Sequence, residues 1–141
     1  MSHDPNCIFC KIVAGALPCT KLYEDAATLA FMDINPLNPG HALAIPKSHA
    51  KDVFAIEEEA IAATVKTARK VARAARAALS PAGVNLLQSS GPAAGQSVFH
   101  LHFHIIPRHT GDGLRFNWTP VPGDMAEIGR VAALIRAKIE A

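Results

Sequence analysis

The chain is poor in the residues that mark several specialised classes of protein. Its 141 residues include three cysteines, one tryptophan and one tyrosine, and the formal net charge is only +2. An odd number of cysteines argues against a disulfide framework, and so weak a charge gives no reason to expect a nucleic-acid partner. No apolar run approaches the length of a membrane span, and the N-terminus lacks the layout of a signal peptide. We therefore expect a cytoplasmic globular protein without a membrane partner.

The composition is that of a folded domain with a substantial core. Half of the residues are apolar and 18% are charged, and no internal repeat is evident. Hydrophobic periodicity and turn residues predict an α+β fold, in which a mostly antiparallel sheet is covered on one face by a long helix. The predicted elements are a short helix at 7–14, strands at 21–24, 28–33 and 41–46, a long helix at 56–79, a strand at 84–88, a strand that begins at His100, and a last helix after Asp124.

Both of the longer predicted helices have an apolar face. The predicted core-facing stripe of the long helix comprises Ile61, Val65, Ala68, Ala72, Ala75 and Leu79. The basic residues on its other face are interpreted as solvated surface, because no aromatic residues are interleaved with them. Asp124 and Glu127 resemble a capping box at the start of the last helix. The predicted apolar face of that helix comprises Ile128, Val131, Ile135 and Ile139.

Three histidines alternate with two large apolar residues in the segment His100-Leu101-His102-Phe103-His104. Because alternate residues of a strand share a face, the pattern predicts three imidazoles side by side and the apolar residues in a core. Such a row of titratable rings gives folding no obvious benefit. It does suit chemistry near neutral pH, where imidazole can attack, donate a proton or bind metal.

A glycine-bearing loop, from Gly91 to Phe99, leads directly into these histidines. A turn of this kind can direct successive backbone N–H groups at an anion, and Gln96 and Ser97 add side-chain donors. A donor-lined loop beside a row of imidazoles is what attack on a phosphoryl centre requires.

The cysteines form one Cys-x-x-Cys pair, Cys7 and Cys10, and one isolated residue, Cys19. No strand precedes Cys7, so a thioredoxin-like motif is disfavoured. Metal binding is the better interpretation if two further ligands exist elsewhere in the chain. Cys19 is interpreted as an ordinary, partly buried thiol.

The segment Gly95-Gln-Ser-Val-Phe-His-Leu-His-Phe-His-Ile-Ile-Pro-Arg108 resembles the signature of the histidine triad (HIT) family. Three upstream segments fit the same family in the expected order: Cys7–Ile12, Phe31–Pro36 and Pro39–His49. The resemblance is closest to the branch of nucleoside phosphoramidate hydrolases. It implies a HIT-like fold and an enzyme that acts on nucleotides.

The resemblance also implies an organisation and a reaction. One HIT domain would span residues 1–141, with a core at about 7–108 and a C-terminal extension at 109–141, and would form a homodimer. The reaction would be hydrolysis of the phosphorus–nitrogen bond of purine nucleoside phosphoramidates. Alternatives are dinucleoside polyphosphate hydrolysis and nucleotide binding by a dimer with little catalysis. A catalytic metal site made of the three histidines is less favoured, because no nearby carboxylate base stands out.

The resemblance implies a catalytic role for three histidines. His102, the middle histidine, would be the nucleophile and would carry the nucleotide in a covalent intermediate. His104 would contact the phosphate and the leaving atom. His41 would lie close to the triad and support its hydrogen bonding.

The implied substrate-binding residues fall into three groups. Asp33 would accept the ribose hydroxyls, although it could equally cap the turn that follows it. Gly95, Gln96 and Ser97 would hold the phosphate oxygens. The base pocket would be lined by apolar residues that could also be plain core: Ile8, Phe9, Ile12, Leu17, Phe31 and Ile34.

Ser89 departs from the family pattern. Many relatives carry an asparagine here that contacts phosphate, and a serine has a shorter reach and one hydroxyl in place of an amide. Whether Ser89 still contacts phosphate is left open by the sequence, and lower activity is one expected consequence.

Four residues match the ligands of the family's zinc-bearing members: Cys7, Cys10, His49 and His100. A closed Cys₂His₂ set implies a structural rather than a catalytic zinc ion, one per chain. It would pin the N-terminal helix to the histidine segment. The alternative is a site without metal and with reduced thiols.

Arg108 and His109 follow the histidine segment and are predicted to be non-essential for the chemical step. The reason is that Pro107 precedes them and is expected to end the regular strand pairing.

Overall fold

The computed structural model describes residues 1–116 and 119–140 and confirms the predicted α+β fold. The strands in these residues are β1 Lys21–Glu24, β2 Thr28–Met32, β3 Ala42–Pro46, β4 Gly83–Leu87 and β5 Phe103–Arg108. The helices are α1 Ile8–Val13, α2 Glu58–Leu79, α3 Met125–Arg136 and a single 3₁₀ turn at Pro92–Ala94.

The strands form one antiparallel sheet in the order β1-β2-β3-β5-β4. The first three strands follow one another, and α2 then connects β3 to β4 across one face of the sheet. β5 lies between β3 and β4, so His104 has Leu43 on one side and Leu87 on the other. The end of the histidine segment is therefore fixed from both sides.

The turn between β1 and β2 is organised by Asp25. Its Oδ1 accepts hydrogen bonds from the backbone N–H groups of Ala27 (2.9 Å) and Thr28 (2.7 Å). Desolvation raises the pKa of Asp25, but the hydrogen bonds to its carboxylate together hold that pKa below its usual range. The turn lies beside Pro46, at the opposite end of β3 from His41.

The histidine segment begins differently from the prediction. β5 starts at Phe103, and His100 lies in a bend, so the expectation of three histidines on one strand face was wrong. The cause is that the N–H of Leu101 donates to the carbonyl of Ala50 (2.8 Å), outside the sheet. As a result the His100 and His104 rings serve two separate clusters, with His102 between them.

The other end of β5 also differs, because strand pairing continues through Pro107. Val84 pairs with Pro107 and Gly83 with Arg108. The carbonyl of Pro107 accepts from the Asn38 side chain (2.9 Å), which lies on the side away from β4. The N and C=O of a strand residue face the same side, so the missing N–H of proline is on that side too and removes no bond to β4.

The core-facing stripe of α2 is rotated from its predicted position. The buried residues of α2 are Thr64, Thr67, Ala68 and Val71, whereas Val65 is 41% exposed. Threonine hydroxyls enter the core because they have partners. Thr67 Oγ1 lies 2.7 Å from Thr28 Oγ1, and Thr64 Oγ1 donates to the carbonyl of Ala60 (2.7 Å).

Helix α3 begins as predicted at Asp124, which accepts from the N–H of Ala126 (3.1 Å). The capping box is only half formed, since Glu127 pairs with Arg130 instead of returning to the backbone. No residue of α3 is buried. The predicted division into a core and a C-terminal extension stays a prediction. Within the described ranges, none of the helices has the length and apolarity needed to span a bilayer.

The rotated stripe leads to a prediction about two valines on α2. Val71→Ala should lower the free energy of unfolding by about 2 kcal/mol, because it removes buried methyl groups from a 6% exposed side chain. Val65→Ala, the matched control on the same helix, should change it by less than about 0.5 kcal/mol. Urea denaturation of both variants would measure the difference. A larger effect at Val65 would restore the stripe expected from periodicity.

Candidate functional site

Four metal-binding side chains converge where α1 meets the segment before β5. The distances are 3.4 Å from Cys7 Sγ to His100 Nδ1, 3.4 Å from Cys10 Sγ to His49 Nδ1, 3.6 Å from Cys10 Sγ to His100 Nδ1 and 3.2 Å between the two Nδ1 atoms. All four ligand atoms lie within 4.8 Å of one another. The sequence-predicted ligand set is therefore assembled in space.

Local structure explains how the two cysteines reach one point. Cys7 is the N-cap of α1, and its Sγ accepts from the N–H of Cys10 (3.4 Å). Residues three apart at a helix start lie on the same side. His49 is held by its N–H, which donates to the carbonyl of Ser2 (2.8 Å).

The proton arrangement of His100 fits a metal ligand. Its Nε2 lies 2.8 Å from the carbonyl of Pro46, which can only accept, so Nε2 carries the proton and Nδ1 presents its lone pair to the cluster. Burial, opposed by this hydrogen bond and reinforced by His49 and His102, lowers the pKa of His100 to about 4. The ring is therefore neutral at pH 7, the form that binds metal.

The spacing of the ligand atoms suits a tetrahedral ion. Zinc bonds of about 2.0–2.3 Å would place tetrahedral ligand atoms roughly 3.3–3.8 Å apart. The observed separations of 3.2–3.6 Å are close to that range. Four protein ligands would close the coordination sphere, so such an ion would stabilise the fold and leave no open position for substrate.

The backbone determines which nitrogen of the middle histidine, His102, keeps its lone pair. His102 Nδ1 lies 2.7 Å from the carbonyl of His100, so Nδ1 carries the proton and Nε2 keeps a lone pair. The Phe9 ring stands edge-on to His102, with ring centroids 5.2 Å apart. Burial lowers the pKa of His102, against the opposing effects of the hydrogen bond and of Asp33. The ring is therefore fixed and neutral.

A second chain of hydrogen bonds sets the protons of His41 and His104. The N–H of Leu37 donates to His41 Nδ1 (3.0 Å), so the neutral ring carries its proton on Nε2. That Nε2 lies 2.9 Å from His104 Nδ1, which therefore accepts. His104 carries its own proton on Nε2, on the far side of the ring. His41 thus lies close to the triad, and its role in the reaction stays a prediction.

Asp33 caps the turn that follows it, and its contact with the ribose stays a prediction. Its Oδ1 accepts from the N–H of Asn35 (2.8 Å) and caps the turn, while Oδ2 lies 3.4 Å from His41 Nε2 and 3.9 Å from His104 Nδ1. Burial, followed by the neighbouring histidines, lowers the pKa of His104 to about 4, and Asp33 opposes the shift. His104 is therefore neutral at pH 7 despite the nearby carboxylate.

The loop before the histidines offers fewer free donors than expected. The Gln96 side chain is 5% exposed, donates to the carbonyls of Lys51 and Val98, and accepts from the N–H of Gly91. The N–H of Gly95 donates to Pro92. In this conformation both residues shape the loop, and their contact with phosphate stays a prediction. Ser97 is exposed and lies at the pocket.

A cavity of about 490 Å³ brings the predicted pocket residues together. Its polar lining includes Asp33, Ser97, His102 and His104. Its apolar lining includes every residue predicted to contact the base: Ile8, Phe9, Ile12, Leu17, Phe31 and Ile34. A cavity lined by both apolar and polar side chains suits a ligand that joins a flat ring to an anion.

Exposure separates pocket residues that also belong to the core from those that do not. Phe9 and Phe31 are buried and serve both, whereas Ile34 is 90% exposed and is not core. Ser89 is half-buried and outside the residues that line the cavity. Its contact with phosphate stays open.

Sequence reasoning missed some of the lining. Pro18, Cys19, Leu43 and Val98 also line the cavity. Leu43 could have been found once β3 was known to pair with β5, because it lies opposite His104. Cys19 carried no distinguishing signal.

Comparisons with known proteins agree with this geometry. The family model described as the HIT domain matches residues 14–111. The chain is 48% identical over 114 residues to the protein named hit of Bacillus subtilis, covering 80% of this chain and 79% of that protein. It is 43% identical to a Schizosaccharomyces pombe protein named adenosine 5′-monophosphoramidase hnt1, covering 96% of this chain and 99% of that protein.

Solved structures give the same result. A HIT family protein from Bacillus anthracis superposes with a TM-score of 0.89 at 40% identity, covering 96% of this chain and 99% of that one. A protein described as a zinc-bound histidine triad family protein from Mycobacterium smegmatis superposes with a TM-score of 0.75 at 40% identity, covering 94% and 98%. The predicted HIT-like fold is confirmed. The chain belongs to the HIT family and is a hydrolase of the histidine triad type.

Proposed function

We propose that the protein hydrolyses the phosphorus–nitrogen bond of purine nucleoside phosphoramidates and releases the nucleoside monophosphate. The observation that carries the proposal is the proton arrangement of two histidines that line the cavity. His102 Nε2 is unprotonated and His104 Nε2 is protonated, because backbone groups fix the opposite nitrogens of His102 and His41. A nucleophile and a hydrogen-bond donor therefore stand side by side, with ring centroids 4.9 Å apart.

The proposed reaction has two steps. In the first, the lone pair of His102 Nε2 forms a bond to phosphorus and the phosphorus–nitrogen bond breaks; the leaving nitrogen, already protonated from solvent in the bound substrate, departs as a neutral amine, and the His104 Nε2–H donates a hydrogen bond to it. In the second, a water molecule attacks phosphorus and loses a proton to solvent, and the bond to His102 Nε2 breaks. His102 returns to its starting form, and His104 stays neutral throughout.

The surroundings support these steps. The hydrogen bond that His104 Nδ1 accepts from His41 Nε2 orients the His104 ring, and the Asp33 carboxylate lies 3.4 Å from His41 Nε2. The Ser97 hydroxyl would donate to a phosphate oxygen. The apolar side chains of the cavity would hold the base, and Asp33 Oδ2 would accept from the ribose. The name of the fission-yeast relative, adenosine 5′-monophosphoramidase, agrees with this substrate class.

We further propose one structural zinc ion per chain on Cys7, Cys10, His49 and His100. The support is the spacing of the four ligand atoms, the lone pair of His100 Nδ1, and the zinc bound by the mycobacterial relative. These thiols must stay reduced to bind a metal, so the proposed location is the cytoplasm, with neither nucleic acid nor membrane as a partner.

We propose that the chain forms a homodimer. A mainly apolar groove of about 490 Å³ runs between α2 and the outer strands, lined in part by Leu22, Met32, Val71 and Ala78. Small soluble domains rarely leave such surfaces open to water. A second copy of the chain is the proposed occupant.

The nucleophile is tested by replacing His102. His102→Ala should reduce turnover of an adenosine phosphoramidate by at least ~10³-fold, because covalent catalysis is lost, while nucleotide binding is retained. His109→Ala, an exposed histidine outside the cavity, is the control and should retain turnover. Rapid quench and mass spectrometry should find a nucleotidyl adduct on the peptide that contains His102. An adduct elsewhere would contradict the mechanism.

A substrate panel tests the reaction itself. Guanosine phosphoramidate should be turned over comparably to the adenosine compound, since the apolar pocket tolerates either purine. A dinucleoside polyphosphate should be a poorer substrate. If it is the better one, the leaving group has been assigned wrongly.

The zinc proposal is tested on two cysteines of one chain. Protein purified without added metal should contain one zinc per chain by elemental analysis. Cys7→Ser should lose the metal and melt at a lower temperature, because binding a structural ion contributes to folding. Cys19→Ser is the control, because Cys19 lies outside the cluster. This variant should keep both the metal and the wild-type melting temperature. An absence of metal together with unchanged melting of Cys7→Ser would contradict the proposal.

The dimer is tested by light scattering at micromolar concentration, which should give about twice the chain mass of 14.9 kDa. Ala78→Glu places a charge in the α2 groove and should shift the mass toward the monomer. Ala77→Glu, the neighbouring position outside the groove lining, should not. A wild-type mass of one chain would contradict the dimer. Dimers in both variants would contradict only the choice of surface.

A further inference from the structure

The Asp112 carboxylate lies outside the cavity that His102 and His104 line, and it accepts hydrogen bonds from side chains and from the backbone. Asp112 accepts from Arg108 Nε (2.8 Å) and Nη2 (3.0 Å), from the N–H groups of His109 and Leu114 (3.0 Å each), and from Asn38 Nδ2 (2.9 Å). Its side chain is only 8% exposed. These bonds, that with Arg108 first, hold the pKa of Asp112 far below its usual range. The carboxylate is therefore a fixed anchor.

The anchor is attached to the sheet. Arg108 is the last residue of β5, and its Nη1 donates to Asn85 Oδ1 of β4 (2.7 Å) while Nη2 also donates to the carbonyl of Leu114 (2.8 Å). Two paired strands thus set the position of Asp112. The segment after β5 is held in place by the same guanidinium.

Asn38 connects the anchor to the loop before β3. One amide nitrogen donates both to Asp112 Oδ2 and to the carbonyl of Pro107 (2.9 Å each), and the backbone carbonyl of Asn38 accepts from the N–H of His41 (3.1 Å). Its neighbour Leu37 supplies the N–H that bonds His41 Nδ1. Asn38 therefore lies beside the group that determines which nitrogen of His41 carries the proton.

Packing at Gly40 restricts the same loop. Gly40 has φ of +89°, and a Cβ at this position would lie 2.5 Å from Leu79 Cδ1 and 3.0 Å from Pro107 Cγ. The loop backbone is thus pressed against β5 and α2. Asn38 donates to the Pro107 carbonyl and Gly40 packs against the Pro107 ring, so the same proline contacts both residues of the loop.

We propose that Asn38 and Asp112 are positioning residues of the proposed hydrolysis reaction. They hold the 37–41 loop so that the Leu37 N–H keeps His41 Nδ1 unprotonated and His41 presents its Nε2 proton to His104. The kinetic consequence rests on the proposed function, whereas the structural consequence does not. This network gives Arg108 an indirect part in the site, in contrast to its predicted dispensability.

The structural consequence is tested by NMR of the histidine rings. Long-range ¹H–¹⁵N spectra of full-length protein labelled at histidine should show the wild-type His41 protonated on Nε2 alone. Asn38→Ala and Asp112→Asn should give a mixture of tautomers at His41. Asp25→Asn is the matched control, because Asp25 also anchors a turn by several hydrogen bonds but lies at the opposite end of β3 from His41. It should leave the His41 signals unchanged.

The kinetic consequence is tested with the phosphoramidate substrate. Asn38→Ala should lower kcat by about tenfold, as for other residues that orient a functional side chain, and should change KM by less than about twofold. In a His41→Gln background the same substitution should lower kcat by less than about twofold, because Asn38 acts through His41. Asp25→Asn should retain wild-type kcat.

Three outcomes would overturn the proposal: an unchanged His41 tautomer in Asn38→Ala, an unchanged kcat, or a full tenfold loss in the His41→Gln background. Should Asp112→Asn fail to fold, Asn38→Ala decides, since it leaves the Arg108–Asp112 pair intact. If the wild-type protein does not hydrolyse phosphoramidates, the proposed function fails. The NMR result then still decides whether Asn38 and Asp112 position His41.

Discussion

The structure depends on one residue, His100, which joins the two chemical centres of the protein. Its ring faces the cysteines through Nδ1 and is fixed by the bond from Nε2 to the Pro46 carbonyl. Its backbone carbonyl, 2.7 Å from His102 Nδ1, determines which nitrogen of His102 keeps its lone pair. Whatever holds the His100 ring also holds the carbonyl that orients His102. A structural metal at this position would therefore act on the reaction by restraining the backbone, without touching substrate.

Burial explains why so many adjacent histidines remain useful. Desolvation lowers the pKa of both His100 and His104 to about 4, and it lowers that of His41 and His102 in the same direction. All four rings are therefore neutral at pH 7, so each has one donor and one acceptor nitrogen, and the hydrogen-bond chain has a defined direction. A charged ring would have two donors and no lone pair.

The same shifts have a consequence for stability. An unfolded histidine binds its proton near its ordinary pKa, whereas the folded His104 does so only near pH 4. Between these values the unfolded chain binds more protons, so this residue makes stability fall as the pH falls from about 6.5 toward 4. Above that window the neutral ring imposes no such penalty. Burial of His104 thus keeps the ring neutral at physiological pH and makes the fold less stable in acid.

The sequence predicted most of the elements, and it picked out side chains that the fold brings together, because both have strong local signals. Turn residues bounded the strands, and the alternating histidines with Cys7 and Cys10 identified the chemistry. The errors arose where tertiary partners overrode periodicity. The N–H of Leu101 donates to the carbonyl of Ala50, so β5 begins only at Phe103. Thr67 is buried because its hydroxyl has a hydrogen-bond partner in the hydroxyl of Thr28. Neither partner is visible from spacing along the chain.

The loop contacts could not be predicted for a related reason. Gln96 has the chemistry of a phosphate donor, but its sequence position does not show that its amide also forms hydrogen bonds within the loop. Asn38 and Asp112 had no distinguishing pattern, being two polar residues in turns 74 positions apart. Side chains that contact a ligand must be of particular types, so sequence motifs reveal them. Side chains that fix a backbone need only a partner of the right kind in the right place, and only the folded chain shows which residue that is.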